Sequence, residues 1–184
     1  PEGVYIVTPA QMNPNSSYYL SFNIGYPNAY DRSLGRTGSN LMVHGACSSA
    51  GCYSMTDEDA GEIFALARDS FRGGQTSFQI QALLARMTAA NLAKHRDDPN
   101  LPFWKMLKVG SDNFDLTLRP PKVDVCDKGY VFNANTGGAS FETTRRLGPR
   151  QGLTIVVMFP KGGVNEPTSL ERVLWWIGDN KGVL

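Results

Sequence analysis

Residues 41–56 read LMVHGACSSAGCYSMT, and this stretch decides how the rest of the chain is interpreted. It begins with a short apolar run that ends at His44, and such a run predicts a strand. Small residues follow as far as Gly51 and predict a compact turn. Thr56 suits the N-cap of a helix, because three acidic residues follow it in the first turn. The pattern predicts a strand, a turn and a helix, with His44 and Cys52 at one edge.

A histidine and a cysteine at this spacing have a defined chemical use. A thiolate is a nucleophile, and an adjacent imidazole lowers the pKa of the thiol and later protonates the leaving amine. The backbone N–H groups of Gly51 and Cys52 could point at a developing oxyanion. His44 precedes Cys52 by eight residues, the reverse of the order in papain-like enzymes. The alternatives are a buried structural thiol at Cys52 and a core histidine at His44.

Apolar patterns and turn residues outside this stretch predict short strands and several helices. A helix over residues 56–72 is indicated by apolar residues at helical spacing, with Gly73 and Gly74 ending it. The other expected elements are strands over residues 4–7, 18–22 and 153–159, a strand within residues 75–87, a hairpin over residues 123–132, helices over residues 88–95, 103–114 and 168–178, and a long surface loop over residues 26–38. Together they predict an α+β fold, mainly a small twisted sheet or sandwich with peripheral helices.

The composition excludes several classes of function. The 184 residues include 18 Lys and Arg against 17 Asp and Glu, a net charge of +1, with no basic patch typical of nucleic-acid binding. Two histidines cannot supply a three-histidine zinc site, and no HExxH or paired CxxC occurs, so we predict no metal and no cofactor. The longest apolar stretch, residues 153–160, is far shorter than the ~20 residues that span a bilayer, so no integral membrane segment is expected.

Several polar residues are further candidates for the site. Ser49 lies in the small-residue turn, and Tyr26, Asn28, Asp31 and Arg32 lie in the expected surface loop. These side chains could line a substrate cleft, and the alternative is a polar loop without a binding role.

Cys47 and Cys126 are the remaining cysteines. For Cys47 we favour a small buried side chain, and the alternatives are a disulfide with Cys126 and a resolving thiol for Cys52. Because three is an odd number, at least one thiol stays free unless it pairs between chains.

Two groups of residues resemble a known catalytic signature. Val43-His44-Gly45, followed by Ser49-x-Gly51-Cys52-x-x-Met55-Thr56, is similar to that of the YkuD (ErfK/YbiS) L,D-transpeptidases, and closest to their YafK-like murein branch. The resemblance implies a YkuD-like catalytic domain over residues 1–135 and a C-terminal extension over residues 136–184. It also implies that the family's leading strands are missing from this chain. One sheet edge should therefore be exposed or covered by the C-terminal segment.

The resemblance also implies a mechanism. Cys52 would be the acyl-accepting nucleophile and His44 the general base, with the Gly45 carbonyl orienting the imidazole. The acyl donor would be a peptidoglycan stem peptide, attacked at the carbonyl of meso-diaminopimelate. The thioester would pass to an amine, as in an L,D-transpeptidase, or to water. Such an enzyme would act in the periplasm or cell envelope, in cell-wall biogenesis and the maintenance of cell shape.

Two alternatives to transpeptidation stay open. The same acyl-enzyme could serve a murein amidase or hydrolase that releases a wall-attached lipoprotein. The chain could also be a non-catalytic cell-wall-binding module. The commoner family pattern has a histidine before Gly-Cys and an arginine two residues after the cysteine, and here Ala50 and Ser54 stand in those places. The missing cation motivates the hydrolase alternative.

Overall fold

The computed structural model describes residues 1–134, 154–158 and 173–176, and the fold of these residues is α+β, which confirms the predicted class. Within them, two four-stranded sheets, a two-stranded hairpin and four helices make up the fold. The strands are β1 Gly3–Val7, β2 Met12–Asn13, β3 Ser21–Asn23, β4 Met42–His44, β5 Tyr53–Ser54, β6 Phe78–Leu83, β7 Val123–Cys126, β8 Gly129–Phe132, β9 Thr154–Met158 and β10 Val173–Trp176. The helices are α1 Ala29–Ser33, α2 Asp57–Arg72, α3 Ala89–Ala93 and α4 Leu101–Thr117.

The two sheets differ in strand direction. The first has the order β1-β6-β9-β10, in which β6 and β9 run parallel and the other pairs run antiparallel. The second has the order β2-β3-β4-β5, in which β4 and β5 run parallel. His44 ends β4 and Cys52 directly precedes β5. The second sheet therefore places His44 at the end of one strand and Cys52 directly before the neighbouring strand.

Helix α2 covers the sheet that carries β4. Its N-cap is Thr56, as predicted, whose side chain accepts a hydrogen bond from Asp59 N at 3.1 Å. The buried stripe of the helix lies in one core cluster with Val43, Tyr53 and residues of β1 and β6. This core fixes the start of α2 relative to β4 and β5, and so it fixes the whole stretch over residues 41–56.

A second core cluster lies between α4 and the end of β6. Trp104, Leu107 and Phe114 lie on the buried face of α4 and pack with Leu83 and Leu84. The predicted helix, the strand before it and the hairpin of β7 and β8 are confirmed.

At the outer edge of β1, where no other described strand pairs with it, backbone groups form hydrogen bonds with side chains. Val4 N donates to the Tyr130 hydroxyl at 3.2 Å, and Asn28 Nδ2 donates to Val4 O at 2.8 Å. Gln11 Nε2 donates to Ile6 O at 3.2 Å. The strands β9 and β10 extend the sheet beyond β6, on its other side. Side chains from loops and hairpin thus satisfy the backbone groups of the β1 edge.

The prediction of a long surface loop over residues 26–38 is wrong, because α1 forms there. The Asn28 side chain accepts a hydrogen bond from Asp31 N at 2.9 Å, and the Asp31 carboxylate accepts one from Asn28 N at 3.1 Å. This capping box starts the helix. The buried ring of Tyr30 stacks on Tyr130 at a centroid distance of 4.5 Å. Tertiary burial therefore stabilises a helix too short to be stable alone.

Two other elements differ from prediction. The strand expected over residues 18–22 is confined to Ser21–Asn23, because Tyr19 has a left-handed φ of +67°. The helix expected over residues 168–178 is wrong where the structure describes that range, since Val173–Trp176 forms β10 beside β9. β-branched and aromatic residues suit a strand once a sheet edge can pair with it. The rest of that range lies outside the described residues.

Candidate active site

His44 is almost fully buried, with 4% of its surface exposed, and it ends β4. Val43 lies in the core, so the alternation of side chains along a strand directs His44 to the opposite face of the sheet. In the parallel register Val43 lies beside Tyr53, and His44 lies beside Ser54. Cys52 directly precedes β5 and lies beside Met42, two residues before His44 along β4.

The imidazole of His44 is oriented by the residue that follows it. Its Nδ1 lies 2.6 Å from the carbonyl oxygen of Gly45. A carbonyl oxygen only accepts hydrogen bonds, so Nδ1 carries the proton and the neutral ring keeps a lone pair on Nε2. Gly45 O thus stands where a carboxylate stands in a Ser-His-Asp triad. His44 is set up to accept a proton through Nε2.

Tyr18 covers the His44 ring, a contact that the sequence patterns did not indicate. The two ring centroids are 4.9 Å apart, with an interplanar angle of 43°. The carbonyl oxygen of Tyr18 also accepts a hydrogen bond from Gly45 N at 3.1 Å. Tyr18 therefore contacts both His44 and the residue that orients it, while half of the tyrosine remains exposed.

The Cys52 thiol is half-buried beside the segment that leads into β4. Its Sγ accepts a hydrogen bond from Met42 N at 3.4 Å and donates to Asn40 O at 3.5 Å. In this conformation the thiol bonds to the backbone of Asn40 and of Met42, the first residue of β4. Proton transfer to Nε2 of His44 therefore requires that the thiol move towards the imidazole or that a water bridge the two groups.

The backbone N–H groups of Gly51 and Cys52 converge on one oxygen atom, that of the Ser49 hydroxyl. The distances to this oxygen are 3.0 Å from Gly51 N and 2.6 Å from Cys52 N. Two donors aimed at a single oxygen have the geometry of an oxyanion-binding site. A substrate carbonyl bound there would take the place of the Ser49 hydroxyl.

The turn after β4 has an uncommon backbone, because Ala46 and Cys47 are both left-handed, with φ of +66° and +46°. Cys47 N donates to Met55 O at 3.0 Å, and Met55 N donates to His44 O at 3.0 Å. Ala46 N donates to Asp57 Oδ1 at 2.7 Å. These hydrogen bonds tie the turn to β5 and to the first residue of α2.

Cys47 is exposed, so the prediction of a small buried side chain is wrong. The physical reason is the left-handed turn, which carries residues 46–48 out of the sheet into solvent. The alternative disulfide with Cys126 is absent as well, because Cys47, Cys52 and Cys126 are all free.

The other candidate residues lie around α1 and the segment after it. The half-buried ring of Tyr26 donates from its hydroxyl to Thr37 O at 3.3 Å, and so supports the segment that leads to Asn40. The Asn28 side chain caps α1 and bonds to β1. Arg32 is exposed, and its Nη1 donates to the carbonyl oxygen of Pro27, which lies just before α1. Contact of these residues with a substrate stays a prediction.

Asp31 is fully buried and lies at the centre of a polar cluster. Its carboxylate accepts hydrogen bonds from the Tyr5 hydroxyl at 3.2 Å and from Arg36 Nη1 at 2.8 Å. Burial, followed by the negative charge of Asp31, raises the pKa of Tyr5 far above that of an ordinary tyrosine. The hydrogen bond to Asp31 raises the pKa of Arg36. Asp31 thus stabilises the fold and does not line an open cleft.

The chemistry that this arrangement supports is nucleophilic catalysis by a thiol. In such chemistry Cys52 would supply the sulfur, Nε2 of His44 the base, and two backbone N–H groups the oxyanion site. Among the described residues, no group of three or more His, Cys, Asp or Glu side chains could hold a metal ion. The described helices also include none with the length and apolar character needed to cross a membrane.

Comparison with known proteins relates the chain to a named group of enzymes. No protein-family model matches it. It is 45% identical over 133 residues to the protein named "Putative L,D-transpeptidase YafK" of Escherichia coli K12, and likewise to its namesake of Escherichia coli O157:H7. The match covers 72% of this chain and 54% of each relative, so the chain spans about half the length of these relatives.

This similarity confirms the resemblance first seen in the His44 and Cys52 motifs. Over the matched region, the chain belongs to the YkuD-type L,D-transpeptidases, in their YafK-like branch.

Proposed function

We propose that this domain is a cysteine acyltransferase that acts on peptidoglycan stem peptides. The observation that carries the proposal is the orientation of His44, whose Nδ1 is bonded to Gly45 O, which leaves Nε2 as the base. The paired N–H groups of Gly51 and Cys52 add a site for the oxyanion. The name of the two relatives, L,D-transpeptidase, supports the class of reaction.

In this mechanism, Nε2 of His44 takes the proton of the Cys52 thiol, and the thiolate attacks the carbonyl carbon of meso-diaminopimelate. The carbonyl oxygen becomes an oxyanion and replaces the Ser49 hydroxyl between the two N–H donors. The C–N bond breaks, the imidazolium gives its proton to the leaving amine, and a thioester remains on Cys52. An acceptor amine or water then attacks the thioester. His44 takes the acceptor's proton and returns it to the sulfur, which restores the thiol.

A hydrolase that forms the same thioester is the second candidate, and the position of Ser54 favours it. Ser54 lies beside His44 in the β4–β5 register, where the commoner family pattern has an arginine. Without that arginine, the site lacks one fixed charge that could hold an acidic acceptor peptide. Water needs no such anchor. The products of hydrolysis would include peptides cut at meso-diaminopimelate and a lipoprotein released from the wall.

Incubation with purified sacculi, with and without an added amine, separates these candidates. A transpeptidase is expected to give a new amide that contains the added amine, and a hydrolase only released products. Cys52→Ala should abolish both, while Cys126→Ala, at an exposed thiol on β7, should change neither. Full turnover by Cys52→Ala would contradict the proposal, and binding without turnover by the wild type would favour a non-catalytic wall-binding module.

The proposal places the enzyme in the cell envelope, and in the periplasm of a bacterium with two membranes, because peptidoglycan lies there. It also treats residues 1–135 as the catalytic domain and residues 136–184 as a C-terminal extension packed on or beside it. Among the described residues, the pairing of β9 with β6 supports contact of residues 154–158 with the domain.

A further inference from the structure

One peptide group joins the catalytic histidine to an acidic residue of α2. The carbonyl oxygen of Gly45 lies 2.6 Å from His44 Nδ1, and the N–H of the same peptide, on Ala46, donates to Asp57 Oδ1 at 2.7 Å. In a trans peptide the C=O and N–H groups point in opposite directions. The Asp57 carboxylate, the peptide and the imidazole therefore form one series of hydrogen bonds.

The space around Gly45 shows how closely the carboxylate approaches this peptide. A Cβ added to Gly45 would lie 2.4 Å from Asp57 Oδ1, 3.1 Å from Tyr19 Cβ and 3.2 Å from Tyr18 O. The absence of a side chain at this buried position is what allows Asp57 to reach the turn. Glycine is needed here for space.

The backbone of the turn also requires outside support. Ala46 and Cys47 both adopt the left-handed conformation, with φ of +66° and +46°, which non-glycine residues rarely populate. Cys47 N is held by Met55 O at 3.0 Å, and Ala46 N by Asp57. Loss of the Asp57 bond would leave the Gly45–Ala46 peptide free to rotate, and the acceptor of His44 Nδ1 would rotate with it.

We propose that Asp57 is a positioning residue that acts on His44 through the Gly45–Ala46 peptide. A peptide whose N–H donates to a carboxylate becomes a stronger acceptor at its carbonyl oxygen, because hydrogen bonds in series polarise one another. Asp57 thus fixes the plane of the peptide and strengthens the bond that holds the His44 ring and its tautomer. This inference rests on the proposed function, in which His44 is the base for Cys52.

A different role for Asp57 would be that of an ordinary acidic residue at a helix start. Asp57, Glu58 and Asp59 all lie in the first turn of α2, where negative charge stabilises the helix dipole. Glu58 is exposed like Asp57 and carries the same charge one residue further from the turn. Glu58→Ala is therefore the matched control, since it removes the same charge from the same helix turn.

The test measures the alkylation rate of Cys52 by iodoacetamide as a function of pH, in a Cys47→Ser, Cys126→Ser protein whose one remaining cysteine is Cys52. Asp57→Ala should lower the rate near neutral pH by about tenfold, the low end of what partners of an oriented histidine contribute in metal sites. Asp57→Asn keeps an acceptor oxygen for Ala46 N and should recover most of the rate. Glu58→Ala should match the parent.

The outcomes separate this inference from the proposed function. His44→Ala should lower the alkylation rate near neutral pH by at least as much as Asp57→Ala does, because it removes the proposed base. If it lowers the rate, and Asp57→Ala behaves like Glu58→Ala, the positioning role is overturned while the His44 mechanism stands. If His44→Ala leaves the profile unchanged, the proposed dyad itself is overturned. Should Asp57→Ala fail to fold, Asp57→Ser serves in its place, because serine suits a helix start but cannot reach Ala46 N.

Discussion

The Ser49 hydroxyl oxygen lies 2.6 Å from the backbone nitrogen of Cys52, at the point where Gly51 N also converges, 3.0 Å away. This hydroxyl holds residues 49–52 in a conformation in which both N–H groups face one oxygen. In the proposed mechanism the oxyanion site is therefore formed before substrate arrives, and neither donor would have to turn when a carbonyl oxygen replaces the hydroxyl.

Ser49→Ala is expected to slow acylation of Cys52 by up to about 30-fold, because two hydrogen bonds of about 1 kcal/mol each no longer order the turn. Ser49→Thr keeps a hydroxyl at the same place and should stay within about threefold of the wild type. The rate of adduct formation, followed by intact-protein mass spectrometry, measures both variants. Faster acylation of Ser49→Ala would show instead that the hydroxyl only competes with the substrate.

Gly45→Ala is expected to disable the site without unfolding the domain. The new Cβ would lie 2.4 Å from Asp57 Oδ1, so the turn and the carboxylate must move apart. A displacement of about 1 Å near a reacting group can cost about 100-fold in rate, and we expect a loss of that order in acylation of Cys52.

Gly129→Ala is the control for this variant, because a Cβ at Gly129 meets its neighbours at 3.4 Å or more, an ordinary contact distance. Circular dichroism checks that both variants fold. Equal acylation rates for the two alanine variants would contradict the role assigned to the space at Gly45.

The ion pair between Arg36 and Asp31 is expected to contribute to stability. Arg36 Nη1 lies 2.8 Å from Asp31 Oδ1, and the Asp31 side chain is fully buried while that of Arg36 is 40% exposed. Arg36→Ala should lower the free energy of unfolding by about 1–3 kcal/mol, less than the full cost of breaking a completely buried pair. Urea denaturation measures the change. Arg86→Ala, at an exposed position, is the control, and equal midpoints for the two would contradict the prediction.

Alkaline pH is expected to destabilise the fold through its buried tyrosines. Burial is the main cause that raises the pKa of Tyr130 from its usual 10 to about 12, and it raises those of Tyr5 and Tyr53 further. A raised pKa in the folded state gives stability that is fully present below pH 10 and is lost as the pH rises through about 12. The free energy of unfolding should therefore fall across that interval.

Tyr130→Phe tests whether ionisation of Tyr130 contributes to the loss of stability at alkaline pH. At neutral pH the variant should be less stable by about 1–2 kcal/mol, because Val4 N and Asn28 Nδ2 lose their shared acceptor. Above pH 10 the difference from the wild type should shrink, since phenylalanine has no proton to lose. Urea unfolding at a series of pH values measures this difference, and a constant difference would contradict the assignment.

The parts of the fold that could be predicted are those set by local patterns. The capping residue Thr56, the apolar stripe of α2 and the paired glycines that follow act within one helix, and the structure agrees with all three. The helix α1 escaped prediction because its stability comes from distant contacts of Tyr30 with Phe103 and Tyr130. The strand β10 escaped it because pairing with β9 is a tertiary event.

The candidate site also has some features that local sequence patterns predict and others that depend on tertiary contacts. The order of His44, the small-residue turn and Cys52 along the chain predicted a shared edge. In the parallel pairing of β4 and β5, His44 ends β4, whereas Cys52 directly precedes β5 and lies beside Met42 at the start of β4. No sequence pattern indicated the contact between Asp57 and Ala46. An acidic residue after a helix cap has the same sequence pattern whether its side chain contacts a turn or only solvent. The exposure of Cys47 depends on a left-handed backbone that its small neighbours do not reveal.

The proposed mechanism requires that Cys52 becomes acylated with His44 as its base. Intact-protein mass spectrometry after exposure to a carbapenem, a reactive cyclic acyl donor, detects this acylation. We expect a single adduct on the wild type and on Cys126→Ala, none on Cys52→Ala, and a strongly slowed reaction for His44→Ala. A folded wild-type protein that forms no adduct and turns over no muropeptides, or an adduct that persists in Cys52→Ala, would contradict it.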